Sequence, residues 1–362
     1  MDSDSLDQSS GSHPPILATA ATPTYPPPAR RSPWVALLVV FLFFFLGGSL
    51  LVNLVLLAAL GFAGGGGGSR VQEKHYSHQP QARAQVAIID ISGVIIDAEP
   101  TFKRLIDHAR QKAAEGSLKA VVLRVNSPGG SVSGSDYIFH QLRKFREETG
   151  LPLVVSMGAV AASGGYYSAM AVGDAPETIY AEPSTFTGSI GVVIPHYNIA
   201  GLLDKLGIEA DSIASHPLKT MGSMSRPMTE EERAIFKSLI DEGLAQFKEV
   251  IRHGRPRFRD DPAALDRLAT GQVFSAKQAL KTGLIDRIGF LDDAVVRAIE
   301  LARLDADEVS VVRYVPETSL WDIMLGAESR QAKASDPRAW LDAFTPQPYY
   351  LWTALPLLDT SR

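Results

Sequence analysis

"KAVVLRVNSPGGSVSGSDYIFHQLRKFREETGLPLVVSM", Lys119 to Met157, is the stretch that decides the fold. Its first nine residues form an apolar, β-branched run that stops at Pro128-Gly129-Gly130, and such a run bounded by turn residues reads as a buried strand. The segment from Ser135 then has amphipathic helical spacing, with Gly150 placed to cap its C-terminus. "LPLVVSM" returns as a second strand. Strand, helix and strand in succession predict a parallel pair joined by a crossover helix, the unit of an α/β fold.

The alternation continues on both sides. "VAIIDISGVII" (Val86 to Ile96) reads as a strand and "TFKRLIDHARQKAAEG" as a helix. Downstream, "PETIYAEPSTFTGSIGVVI" reads as extended segments and turns. "TEEERAIFKSLIDEGLAQFKEVIRHG" reads as a long helix with Thr229 as N-cap and Glu232 three positions later, the spacing of a capping box. The stretch from Leu265 to Leu304 reads as helix, turn and helix, and "EVSVVRYV" as a further strand. Residues 85–315 are therefore expected to form one α/β domain with a mostly parallel sheet and flanking helices. Residues 316–362 are an extension with aromatic clusters and weak periodicity, to which no element is assigned.

The N-terminal part has a different composition. From Val35 to Leu60 there are 26 residues without a charge. As a helix at about 1.5 Å per residue this run reaches roughly 39 Å, enough to cross a hydrocarbon core of about 30 Å. A cleaved secretory signal has a shorter apolar run. Residues 34–62 are thus expected to be a transmembrane helix, preceded by a disordered Pro/Ser-rich tail (1–33) and followed by a Gly-rich tether (63–84). Arg30 and Arg31 before the span outweigh Arg70 and Lys74 after it, which carry the partial offset of Glu73. That bias favours a cytoplasmic N-terminus, with residues beyond the span on the extracytoplasmic side of the cytoplasmic membrane.

Composition narrows the chemistry. The 362 residues, 45% hydrophobic, suffice for a sizeable core, and the net charge of −5, with no basic patch among aromatics, gives no sign of a nucleic-acid partner. With no cysteine, disulfides, thiolate metal sites and a cysteine nucleophile are excluded. No HExxH-type spacing is present, so no metal and no cofactor is expected.

Two glycine-flanked elements remain. In "RVNSPGGSV" (Arg124 to Val132), a Pro-Gly-Gly turn leaves amides unobstructed, which suits an oxyanion site or simply a tight turn in which Ser131 or Ser133 caps the next helix. In "GAVAASGGYY" (Gly158 to Tyr167), Ser163 follows a strand and precedes two glycines; it is a helix cap, a packing residue or a nucleophile. A nucleophilic serine needs a base. His196, His216 and His253 have no convincingly placed acidic partner and read as surface or core residues. Lys219 lies among Pro217, Leu218, Met221 and Met224, where burial by about 2–3 pK units from about 10.4 would make it a base; otherwise it is a solvated surface lysine.

"RVNSPGGSV", "SMGAVAASGGYYSAMA", "TFTGSIGV", "LKTMGSMSRPMT" and "ATGQVFSAKQALKTGLIDRIGFLDDAV" occur in the order and spacing of the signal peptide peptidase A family. The chain resembles the short, single-domain form of these membrane-bound serine peptidases over about 85–300. The resemblance implies a Clp-protease/crotonase-like fold, Ser163 as nucleophile, Lys219 as general base and Ser189 as the residue that orients the lysine. It further implies oxyanion donors at Gly129 or Gly130 and at Gly164, peptide substrates such as signal peptide remnants, and a ring- or dome-like homo-oligomer in which a neighbour completes the site in some members. Two other functions share the fold or the anchor. A crotonase-like acyl-thioester enzyme would be separated by the membrane from cytosolic coenzyme A thioesters, and a non-catalytic membrane scaffold would leave Ser163 unreactive.

Overall fold

In the computed structural model, residues 33–64, 71–96, 99–317 and 348–351 are described. Two units, Met1–Gly67 and Gly68–Arg362, are distinguished. The first contains α1 (Pro33–Gly64), within which Leu37–Leu56 has a mean hydropathy of 2.5. Its side chains are open on all faces, with Phe44 82% and Leu50 69% exposed. A helix apolar all round is one long and greasy enough to cross a bilayer. The expected Pro/Ser-rich tail lies outside the described residues.

The second unit is built on a sheet of nine strands among the described residues. In chain order the strands of the unit are β1 (Val71–His78), β2 (Ala84–Ser92), β3 (Leu118–Ser127), β4 (Gly129–Ser131), β5 (Leu153–Ala162), β6 (Ile179–Ala181), β7 (Phe186–Gly188), β8 (Val273–Ser275), β9 (Arg287–Ile288), β10 (Val309–Pro316) and β11 (Tyr349–Leu351). The main path runs β1-β10-β2-β3-β5-β6-β9. Only β1 is antiparallel along it. Strand β5 forks. Its first half pairs with β6 and its last three residues pair with β7, which in turn holds β8 antiparallel. Strands β4 and β11 form a separate two-stranded ladder.

Connecting helices cover both faces, as a parallel sheet requires. They are α2 (Glu99–Ala114), α3 (Val132–Thr149), α4 (Gly164–Ala169), α5 (Ala200–Leu206), α6 (Glu230–Gly254), α7 (Arg257–Asp260), α8 (Pro262–Leu268), α9 (Ala276–Thr282) and α10 (Leu291–Leu301). The two-residue period of the strands sorts the core into two layers. Ile89, Ile91, Leu123, Val125 and Val155 pack with Phe102, Ile138, Phe145 and Phe247 of α2, α3 and α6. Val86, Ile88, Val122, Val154 and Val311 pack with Val295 and Ile299 of α10.

The βαβ unit of the opening stretch is present as read. Gly150 caps α3 in the left-handed conformation, and Ser131, rather than Ser133, caps its start by accepting from the Gly134 amide at 3.1 Å. The Thr229–Glu232 capping box opens α6. One expectation is corrected: the tether does not reach residue 84. Residues Val71–His78 form β1, because the Gln72–His78 stretch, polar in sequence, gains a full backbone ladder along the free edge of β10. The stretch from Leu265 to Leu304 also contains two short strands, β8 and β9, that its helical periodicity concealed.

Candidate active site

Strand β5 carries alternating and then small residues to Ala162, and the chain reverses at Ser163 into α4. Ser163 holds φ 53° and ψ −115°, a conformation that costs a side-chain-bearing residue about 1–3 kcal/mol. The turn is fixed from both ends. The Ser163 amide donates to the Gly188 carbonyl at 2.7 Å, and its carbonyl accepts from the Tyr167 amide at 2.8 Å. Ser163 is buried, yet its Oγ has no hydrogen-bond partner. Its side chain caps nothing, which removes the helix-cap reading. The Ser163 hydroxyl is thus a buried polar group without a protein partner, on a strained turn.

The glycines explain themselves by distance. A Cβ on Gly164 would stand 2.2 Å from Ser135 Oγ and 3.2 Å from Gly129 Cα, and one on Gly165 would stand 2.8 Å from the Ser127 carbonyl oxygen. The close approach of α4 to the Pro-Gly-Gly turn is therefore made by the two residues after Ser163. The small residues before it, Ala161 and Ala162, pair instead with Thr187 and Gly188 of β7.

Gly129 and Gly130 play different parts. The Gly129 amide is taken by Ser127 Oγ at 3.1 Å. Gly130 lies opposite Tyr350 in the β4–β11 ladder. Since the Val132 amide bonds the Pro348 carbonyl at 3.4 Å, the alternation of an antiparallel ladder puts Gly130 and Tyr350 in a hydrogen-bonding pair. The site-facing amide of the turn is thus that of Gly130, one residue on from the first glycine.

Ser189 is brought to the same place by the fork in β5. It too has a positive φ, 51°. Its amide donates to Gln272 and its Oγ to the Gly271 carbonyl, at 2.8 and 3.2 Å. Gly271 and Gln272, in "ATGQVF", therefore hold Ser189, a role the sequence reading did not assign to them.

Lys219 sits on a short 3-10 turn, Pro217–Thr220, capped by His216. Its side chain is exposed, and no hydrogen bond joins it to Ser163 in the single chain. The turn is nonetheless anchored. Arg226 donates to the Thr220 carbonyl at 3.2 Å and to Glu232 Oε2 at 3.1 Å, and Glu232 is a buried residue of the α6 capping box. Neither Arg226 nor Glu232 was legible as part of a site. Glu232 read as a capping residue alone. His216 caps the Lys219 turn, and burial next to Arg146 and Arg143 pushes the His253 imidazole below its usual range. Among the described residues no cluster of His, Asp and Glu could hold a metal.

A further side chain enters from β11. Tyr350 is fully buried, its ring stacked on Tyr167 at 5.0 Å and against Phe247 at 4.7 Å. Its hydroxyl donates to the Gly243 carbonyl at 2.8 Å. Burial raises the Tyr350 hydroxyl, and burial with the Asp136 carboxylate raises that of Tyr167, which keeps both neutral.

The profile of Peptidase family S49 matches residues 145–305. The chain is 34% identical over 254 residues to a putative protease of Synechocystis, covering 70% of this chain and 87% of the relative. It is 28% identical over 291 residues to the putative signal peptide peptidase SppA of Enterococcus faecium, covering 75% and 82%. It is 33% identical over 268 residues to Protease 4 of Salmonella typhi, covering 73% of this chain. It spans about two fifths of the length of that protein, 41%.

Proposed function

Because the chain belongs to the SppA family, peptidase family S49, we propose that it is a membrane-anchored serine endopeptidase acting on peptides in or near the membrane, signal peptide remnants among them. The observation that carries this reading is the hydroxyl of Ser163, buried and without a protein partner on a strained turn, where Gly164 packs closely against the Pro-Gly-Gly turn.

In the proposed reaction Ser163 Oγ adds to a peptide carbonyl carbon while the developing oxyanion is held by the two glycine amides. The base that accepts the Oγ proton is the neutral amine of Lys219, and the proton passes to the leaving nitrogen as the C–N bond breaks. Water then splits the ester, returning the proton to Ser163. Ser189 orients the amine.

A lysine acts as base only once it is desolvated, and Lys219 is exposed in the single chain. The reading therefore includes a second copy of the chain that covers the Lys219 turn and closes the site. The exposed side chains of Tyr197, Leu202, Leu206, Ile208 and Ile213 around α5 are consistent with such an assembly. In this reading the N-terminus lies in the cytoplasm and the peptidase domain outside it, which the charge bias of Arg30 and Arg31 supports.

The test is labelling of the detergent-solubilised chain with a serine-directed fluorophosphonate, together with hydrolysis of synthetic signal peptides. Ser163→Ala and Lys219→Ala are each expected to abolish hydrolysis without loss of folding. Mixing the two inactive variants restores hydrolysis if the lysine serves a neighbour's serine. Full activity in either single variant refutes the dyad.

A further inference from the structure

The peptide unit between Gly129 and Gly130 has a glycine on each side, so no Cβ restricts its rotation and its orientation has to be imposed by its neighbours. Residues 93–96, which follow β2, impose it. The Ile95 amide donates to the Gly129 carbonyl at 2.9 Å, and the Ile95 carbonyl accepts from the Ser131 amide at 2.7 Å. In a trans peptide the carbonyl and the N–H point opposite ways. With its oxygen turned to Ile95, this unit turns the Gly130 N–H to the other side. There the Gly130 nitrogen lies 3.2 Å from the point at which a Cβ on Gly164 would stand.

The preceding peptide unit is held by a side chain. Ser127, fully buried, accepts from the Gly129 amide at 3.1 Å and donates its hydroxyl proton to the Gly93 carbonyl at 2.6 Å. One hydroxyl thus satisfies two backbone groups, one in the turn and one in residues 93–96. Further bonds flank it: the Gly93 amide donates to the Asn126 carbonyl at 3.0 Å, and Ser131 Oγ donates to the Ile96 carbonyl at 3.1 Å. Gly93 is exposed, with φ 74° and open space where a Cβ would be. Its left-handed backbone, and not packing, aims its carbonyl at Ser127.

Resting on the peptidase reading, we propose that Ser127 and Gly93 are positioning residues, whose hydroxyl-to-carbonyl bridge keeps the Gly130 N–H directed at the oxyanion of the attacked carbonyl. Ser127 acts through the turn and not on the substrate. Without its hydroxyl the Gly129 amide is a buried donor with no acceptor, and the turn relaxes by rotating the glycine-flanked unit, the softest one in it. That rotation takes the Gly130 N–H off the oxyanion and leaves ground-state binding of the peptide as it was.

The test uses the full chain in detergent with Ser127→Ala, Gly93→Asn and Gly93→Val. The readouts are hydrolysis of a synthetic signal peptide, inhibition by the matching peptide aldehyde, and hydrogen exchange at the Gly129 amide. The aldehyde takes up Ser163 Oγ as a hemiacetal whose oxygen stands where the oxyanion forms. Ser127→Ala is expected to lower kcat about 10–100-fold, short of the about 10²–10³ for loss of a whole donor. KM should stay within about twofold, and the aldehyde should weaken by the same factor as kcat/KM, since both report the transition state. Gly93→Asn should keep most of the activity, because asparagine accepts a positive φ; Gly93→Val should lose about as much as Ser127→Ala, because a β-branched residue does not. The Gly93 variants alter an exposed position and supply the comparison if Ser127→Ala does not fold. An unchanged kcat in folded Ser127→Ala, or equal kcat in the two Gly93 variants, overturns the bridge. A loss carried by KM alone, with aldehyde and substrate weakened alike, overturns the positioning role. If the wild-type chain neither cleaves peptide nor is labelled at Ser163, the peptidase reading falls, and exchange decides the bridge by itself. Faster exchange of the Gly129 amide in Ser127→Ala upholds it, and an unchanged rate overturns it.

Discussion

Replacing Gly129 with alanine separates the site from the scaffold that holds it. The added methyl would meet the Tyr350 carbonyl oxygen at 2.0 Å, the Gly164 nitrogen at 2.6 Å and Ser163 Cβ at 3.1 Å. The first collision is with β11, and the other two are with Gly164 and Ser163, which are fixed in a buried turn. The backbone adds its own cost: φ is 98° at Gly129, which for alanine is worth about 1–3 kcal/mol. For a domain of this size that lowers the melting midpoint by about 4–8 °C at 2 kcal/mol. The catalytic effect is larger. A methyl in front of the Gly164 amide removes one oxyanion donor, about 10²–10³ in kcat. By contrast, a methyl on Gly130 would strike the Ile95 backbone at 1.8 Å, where Ile95 is bridged to Gly130, so Gly130→Ala damages the fold as well as the site. The assay pairs differential scanning fluorimetry with peptide hydrolysis for both variants. Wild-type kcat/KM in a folded Gly129→Ala chain would refute the assignment of the Gly164 amide as an oxyanion donor.

Other consequences can be measured on the same preparations. Arg226→Ala frees the Lys219 turn from Glu232 and is expected to lower kcat at least about tenfold with little change in KM, since a positioning residue acts on the transition state; an unchanged kcat would show the turn to be held otherwise. Asp286 accepts from the amides of Thr178 and Ile179 and pairs with the buried Arg255 at 2.8 Å, so Asp286→Ala should cost about 3–5 kcal/mol in denaturant unfolding. Glu73 is pushed up by burial, but bonds from His108, Lys112 and Gln85 outweigh this and hold it below its ordinary value of 4.5. A depressed acid stabilises the fold above its unfolded value and loses that contribution as pH falls through the folded value. Its contribution should therefore be constant well above pH 4.5 and be lost as pH falls below that value. Glu73→Gln should flatten that decline, and an identical acid limb in the variant would refute the assignment.

The elements that make the scaffold were legible because their signals are local. Hydrophobic period, the Gly150 cap and the Thr229–Glu232 box each sit within a few residues, and each is found in place. The grouping of Ser163, Ser189 and the Pro-Gly-Gly turn came from motif order, and the fork in β5 supplies its physical cause. What could not be read was tertiary. Nothing in "VQEKHYSH" announces a strand, since its pairing is made by β10, more than two hundred residues away. Nothing in the aromatic tail announces Tyr350, whose pocket is assembled from α4 and α6. Lys219 was singled out for its apolar neighbours in sequence, yet a local run cannot report burial, and in the single chain the side chain faces solvent.

The unusual torsion angles at residue 163 also bear on how inactive versions of the enzyme should be made. Alanine deletes the hydroxyl but must keep the same awkward geometry, whereas glycine deletes it and relaxes the backbone as well. The two null mutants would then differ in thermal midpoint by the elastic energy stored at that corner, less the extra chain entropy that glycine brings to the denatured ensemble. A selection for heat resistance alone would drift toward glycine there, silencing the protein while seeming to improve it.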